Sequence, residues 1–249
     1  MSELRICQTA DALARESAEY LVERAIETVK ARGRWTVALS GGSTPERLFQ
    51  CWAEPALRDR MPWAQVHLFW GDERHVPPDH EDSNYGMALR AFISSVPITE
   101  ANVYRMPAEN SDAATAAAAY EETLRRFFAL PNNAFPRFDL MLMGLGPDGH
   151  TASMFPGNDA LTEGRRWVVA PYVPQFSTYR ISITFPVINA AEEVMMLVSG
   201  ESKAPAVKEV REGPRDPLRL PAQAIAPRNG RMIWWLDRSA ARDLRPPVR

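Results

Sequence analysis

Two cysteines, Cys7 and Cys51, are all that this 249-residue sequence holds. They cannot build a disulfide framework and lack metal-type spacing, so they read as unpaired thiols in a reducing, cytoplasmic compartment. Net charge is scarce too: 29 Lys and Arg stand against 31 Asp and Glu. That balance argues against a nucleic-acid partner. No apolar run approaches the roughly 20 residues that span a bilayer, so no membrane partner is expected. Met1 to Arg15 is charged where a secretory leader would have its apolar stretch. Gly-Lys-Ser/Thr is missing, which disfavours a nucleoside-triphosphate loop. Gly-x-Ser-x-Gly is missing, which disfavours a covalent serine hydrolase.

What is present is an ordinary globular composition, 45% hydrophobic and 24% charged, on a chain long enough to bury a large core. An amphipathic helix is expected over Asp11–Arg32, capped by Asp11, with Leu13, Leu21, Val22, Ala25 and Val29 as its stripe and Gly33 as its stop. Trp35–Leu39 reads as a strand, Ser40–Thr44 as a turn, and Pro45 as the first residue of a helix capped by Thr44. Val66–Trp70 is a second strand, followed by a loop over Gly71–Pro78 and a helix over Ser83–Ile93. Ser111–Leu130 is alanine-rich and helical, with Ser111 as cap. Leu140–Met143 is a third strand, buried on both faces, leading through a glycine-rich turn into a helix start. Pro156–Arg166 is irregular, Trp167–Ala170 a short strand, and Arg180–Phe185 alternates as another. Val194–Val198 is buried strand, Glu201–Arg211 helix with Lys203 in its first turn, and Glu212–Pro227 a proline-rich connection. Met232–Leu236 is the last strand, and Arg242–Arg249 a mobile tail.

Strands alternating with helices predict an α/β fold, a mainly parallel sheet with helices on both faces. No repeat or boundary divides the chain, so residues 1–249 read as a single domain. The loops after Leu39, Trp70, Met143 and Val198 then fall at one edge of the sheet, the carboxyl edge where such folds bind ligands.

Each loop carries candidate chemistry. Ser40-Gly41-Gly42-Ser43-Thr44-Pro45 opens a helix, whose outward N–H groups suit phosphate; a plain capped turn is the alternative. Gly144-Leu145-Gly146-Pro147-Asp148-Gly149 matches the dinucleotide fingerprint formally. Asp148, however, would set a carboxylate against a pyrophosphate, and Val168-Val169-Ala170-Pro171 offers no acid for a ribose. His150 follows this turn beside an acid. Imidazole is a usable base near neutrality, and Asp148 could orient it and stabilise its protonated form. Asp72-Glu73-Arg74 ends a strand with three charges, as either a salt-bridged loop or a polar pocket wall. Lys203 and Arg180 could neutralise a phosphate. His75 and His80 lie near Asp72, Asp79 and Asp82 without matching a ligand spacing, so no metal is expected.

These segments together resemble the 6-phosphogluconolactonases. The matching stretches are Ala38–Pro45, Trp70–Pro77, Ser83-Asn84-Tyr85, Met143–Ser153, Arg180–Thr184 and Val198–Ala204, in family order from about Val37 to Leu236. The resemblance implies a Rossmann-like domain of the sugar-phosphate isomerase and deaminase type. It implies hydrolysis of 6-phospho-D-glucono-1,5-lactone without cofactor or metal; a monomer or weak homo-oligomer is expected. It assigns His150 as general base and puts Asp72 and Arg74 at the sugar. Gly41, Gly42, Ser43, Thr44, Asn84, Arg180 and Lys203 become substrate- and phosphate-binding residues. The alternative is glucosamine-6-phosphate deaminase, whose pattern continues from the histidine to Asn-Glu-Pro. Here Met154-Phe155-Pro156 puts an apolar ring in the glutamate's place.

Overall fold

The computed structural model describes residues 2–131 and 133–245. Among the described residues ten strands form: β1 (Glu3–Cys7), β2 (Trp35–Leu39), β3 (Val66–Trp70), β4 (Asp72–Arg74), β5 (Leu140–Met143), β6 (Val168–Val169), β7 (Tyr172–Val173), β8 (Thr178–Ile183), β9 (Glu193–Val198) and β10 (Arg231–Asp237). Six of them make a sheet in the order β1-β10-β9-β5-β2-β3, with every neighbouring pair parallel. A smaller antiparallel sheet orders β4-β8-β6, with β7 also on β8. The helices are α1 (Ala10–Arg32), α2 (Ser43–Ala53), α3 (Pro55–Arg58), α4 (Asn84–Ala91), α5 (Ala113–Phe128), α6 (Phe185–Ile188), α7 (Ala204–Glu212) and α8 (Arg238–Ala241).

Helices cover both faces of the large sheet, and the register shows which. Trp35 pairs with Val66 and so shares their face. That face carries α2, whose Trp52 meets Trp35 edge-on at 6.3 Å, and α1, whose Ala18 carbonyl accepts from the Trp52 indole. Ala38 and Phe69 point the other way, and Phe69 packs on Phe127 and Phe128 of α5 at 5.0 and 6.0 Å. Trp234 shares that second face through its register with Met196, and the Arg211 guanidinium of α7 lies over it. With both faces covered, β2, β5 and β9 are buried throughout, as continuous apolar strands require.

Several local expectations change. Thr9, not Asp11, caps α1 by accepting from the Ala12 N–H, and Thr28 is buried on the last turn beside a partly buried Val29 packed on the core. Gly33 does stop the helix, at φ 79°. Asp112, not Ser111, caps α5, because its carboxylate reaches two N–H groups, of Ala114 and Thr115. Gly42 occupies the cap position of α2, which therefore starts at Ser43, ahead of Pro45. β1 was not expected at all. The loop after Trp70 is partly strand: β4 leaves the large sheet and pairs with β8. The chain after Gly149 does not start a helix but turns twice, with Ala152 at φ 48°. Lys203 ends a short 3₁₀ turn, Glu201–Lys203, ahead of α7. Of the expected tail, 246–249 lie outside the described residues. The part before it is held: Arg242 pairs with Glu201, and the Arg245 N–H donates to Glu212 Oε1 at 2.8 Å.

Candidate active site

The four loops converge. A cleft of about 250 Å³ opens at the carboxyl ends of β9, β5, β2 and β3. From β2 it takes Ser40, Gly41, Gly42, Ser43 and Thr44; from β4, Asp72 and Arg74; from α4, Asn84. The loop after β5 adds Gly144 to Pro147 and His150 to Ala152, and the stretch after β9 adds Ser199 and Lys203.

His150 is the best-defined group. Its Nδ1 lies 2.5 Å from Asp148 Oδ1, and the same oxygen accepts the His150 backbone N–H at 3.2 Å. Burial pushes the Asp148 carboxyl up. The charge of His150, its ring hydrogen bond and two backbone N–H groups outweigh this and hold the carboxyl below the usual carboxylate range. An ionised Asp148 only accepts, so when the ring is neutral Nδ1 carries the proton and the lone pair is on Nε2. Among the described residues Nε2 has no protein partner, and the side chain is 23% exposed. Gly146 makes this possible: a Cβ there would stand 1.9 Å from His150 Nδ1. The imidazole also stacks on Phe155, with ring centroids 4.0 Å apart.

The opposite wall is a buried polar network. Asp72 is 8% exposed. Its Oδ2 accepts from Ser153 Oγ at 2.7 Å, and its backbone carbonyl accepts from Asn84 Nδ2 at 2.9 Å. Gly41 leaves room for Asn84, since a Cβ on it would meet Asn84 Oδ1 at 1.8 Å. Glu73 points away and anchors the wall. It accepts from the N–H groups of Asn84 and Tyr85 at the start of α4 and from Ser83 Oγ. Its burial pushes its carboxyl up against those N–H groups.

The third side is electropositive. The amino end of α2 faces the cleft, with Ser43 and Thr44 on it. Thr44 Oγ1 and Ser199 Oγ lie 2.9 Å apart, tying the β2 and β9 loops together. Burial lowers the Lys203 ammonium below the ordinary lysine range, against a counter-pull from Asp148.

Two expected site residues do not line the cleft. Asp148 stands behind the His150 ring. Arg180 sits in β8 opposite Arg74, with its guanidinium over the Phe176 ring at 5.3 Å. Ser199 and Ser153 belong to the site or its support but were not expected there, whereas Phe155, in the place of the deaminase glutamate, stacks on His150. Only a bond to a distant segment reveals the first two. His75 Nε2 is bonded to the Asn110 carbonyl, and His80 Nδ1 accepts from the Asp82 N–H. Among the described residues no group of three or more His, Cys, Asp or Glu is placed to hold a metal, and no helix is long and apolar enough to cross a membrane.

Comparison with known proteins shows the family and the fold. The family of glucosamine-6-phosphate isomerases/6-phosphogluconolactonase matches residues 8–234. A 6-phosphogluconolactonase from Synechocystis sp. is 43% identical over 236 residues, covering 92% of this chain and 95% of its own. The solved 6-phosphogluconolactonase from Trypanosoma cruzi is 28% identical with a TM-score of 0.85, covering 98% of this chain and 97% of its own. A monomeric glucosamine-6-phosphate deaminase shares the fold, with a TM-score of 0.80 at 20% identity, covering 97% of this chain and all (100%) of its own. With that match across nearly its whole length, the chain belongs to the glucosamine-6-phosphate isomerase/6-phosphogluconolactonase family.

Proposed function

We propose that this chain hydrolyses 6-phospho-D-glucono-1,5-lactone to 6-phosphogluconate, the second step of the oxidative pentose phosphate pathway. It is a lactone-hydrolysing enzyme of sugar-phosphate metabolism, as its relatives are named. The observation that carries the mechanism is the His150 imidazole, fixed at Nδ1 by Asp148 and free at Nε2 in a cleft shared with Lys203 and the amino end of α2.

In this reading Nε2 takes a proton from water as the water oxygen bonds to C1. The carbonyl electrons move onto oxygen, where Arg74 or a cleft N–H group stabilises them. The C1–O5 bond then breaks, and the ring oxygen takes the proton from the imidazolium. The carboxylic acid formed ionises at neutral pH. Asp148 stabilises the imidazolium throughout. Asp72 and Asn84 bind sugar hydroxyls, while Gly41, Gly42, Ser43, Thr44 and Lys203 hold the phosphate. Arg180 adds positive potential beside Arg74. Binding energy at the phosphate end holds C1 near the water. The chain works as one domain, without cofactor or metal, as a monomer or weak homo-oligomer in the cytoplasm. The buried, unpaired thiols of Cys7 and Cys51 suit that compartment.

The deaminase reading is less supported, because Phe155 lies against His150 where the deaminase pattern has a carboxylate. The test is a lactone-hydrolysis assay corrected for spontaneous opening. His150→Ala should lose about 10²–10⁴-fold in rate. A wild-type rate for that variant would remove His150 from the mechanism, and ammonia release from glucosamine 6-phosphate would favour the deaminase.

A further inference from the structure

The steps above use two edges of the His150 ring, Nδ1 for Asp148 and Nε2 for water. They leave its face unassigned, and that face is covered. Phe155 stacks on it with centroids 4.0 Å apart and planes 29° apart. Phe155 is itself only 6% exposed. The Phe176 ring packs near-perpendicular to Phe155, 6.0 Å away. The Arg180 guanidinium covers Phe176 in turn.

The backbone builds this contact. Thr151 Oγ1 donates to the Gly144 carbonyl at 2.9 Å, and the Met154 N–H donates to the Thr151 carbonyl at 3.0 Å. Ala152 takes φ 48° between them. The chain therefore doubles back after His150 and brings Phe155 against the ring five residues earlier.

An aromatic face carries negative electrostatic potential, so a cation stacked on it is attracted more than a neutral ring. The reaction makes such a cation each time the imidazole takes a proton. We infer that Phe155 is a positioning residue for lactone hydrolysis: its face holds the imidazole in line with Asp148 and supports the charge the ring gains. This rests on the hydrolase reading above.

Phe155 carries no charge, and its ring neighbours are His150 and Phe176. Asp148 is at Nδ1 on the same loop, with Lys203 beyond it from the stretch before α7. Asp72 and Arg74 of β4 share the cleft, and Arg180 lies behind Phe176. A change in pH profile on removing the aromatic ring is thus assignable to the ring.

The experiment uses the full chain and compares Phe155→Leu with Phe155→Tyr. Phe155→Leu should lower kcat about tenfold with KM within about twofold. It should also move the acidic limb of kcat/KM to lower pH by about half a unit, since the ring no longer favours the protonated form. Phe155→Tyr should restore both. A packing role alone would lower thermal stability and leave the limb in place, and an unmoved limb in folded Phe155→Leu overturns the inference. If that variant does not fold, NMR of the histidine-labelled wild type decides. The His150 Hε1 resonance, identified by its loss in His150→Ala, should lie upfield of those of His75 and His80 through the ring current of Phe155. An unshifted resonance overturns the stack. Absence of lactone hydrolysis by the wild type would instead sink the hydrolase reading.

Discussion

The hydroxyl of Ser153 donates to Asp72 Oδ2 at 2.7 Å, joining positions 81 apart in the chain. Both side chains are buried. The bond ties the turn that carries His150 to the strand that carries Asp72 and Arg74, beside a second tie from the Ser153 N–H to Ser182 Oγ at 3.3 Å. Ser153→Ala would leave a buried carboxylate oxygen without that donor. A loss of about 1–3 kcal/mol in unfolding free energy is expected, measured by denaturant titration at pH 7. Activity should fall with it, because Asp72 loses its restraint. An unchanged denaturation midpoint would show that the bond contributes nothing.

Gly146→Ala tests the space for the imidazole. Gly146 has no positive φ, so alanine strains nothing in the backbone. Its Cβ would nevertheless stand 1.9 Å from His150 Nδ1 and 2.7 Å from Asp148 Oδ1. The ring must move, and a displacement of about 1 Å in a catalytic group can cost about 10²-fold. The expected result is a drop in kcat of that size with the circular dichroism spectrum of the wild type. Full activity would show that the ring is not held where the mechanism needs it.

Lys203 separates stability from function. Burial lowers its ammonium below the ordinary lysine range, so the folded free enzyme binds that proton less tightly than the unfolded chain does. The sign follows: the charged lysine costs the fold stability below its folded titration point, and the cost fades as pH rises towards the ordinary lysine range. Lys203→Met should therefore melt no lower than the wild type at pH 7, while its KM for the phosphorylated lactone rises at least tenfold. In the wild type, KM should rise at an alkaline pH below the ordinary lysine range, as the cation is lost. Spontaneous lactone opening has to be subtracted there. A KM unaffected by the substitution would take Lys203 out of the phosphate site.

The large sheet was legible because both of its faces are covered. Two-sided burial writes itself into a strand as an unbroken apolar run, and Leu140–Met143 and Val194–Val198 carry such runs. The short edge elements were not legible. β1 alternates Glu3, Leu4, Arg5, Ile6 and Cys7 over five residues; Leu4 and Ile6 are exposed and Cys7 alone is buried, so no apolar face announces it. β4 is three charged residues, Asp72-Glu73-Arg74, and is a strand only because β8 passes alongside. Helix caps were misplaced by one or two positions because Ser, Thr and Asp all qualify in sequence. Which one caps depends on whose oxygen reaches the free N–H groups, as Thr9 and Asp112 do here.

The sequence alone determined that His150 and Asp148 would be partners, since they are two residues apart on a turn that glycine keeps open. It also determined that the loops after β2, β3, β5 and β9 would share one edge, because parallel strands all end on the same side. Tertiary structure decided the rest. It put Phe155 on the imidazole, Ser153 on Asp72 and Ser199 on Thr44, and it left Arg180 over Phe176 instead of in the cleft lining. Each of these depends on a side chain meeting a distant or doubled-back segment. Such contacts are fixed by how loops pack over the sheet, and no local pattern of residues encodes that.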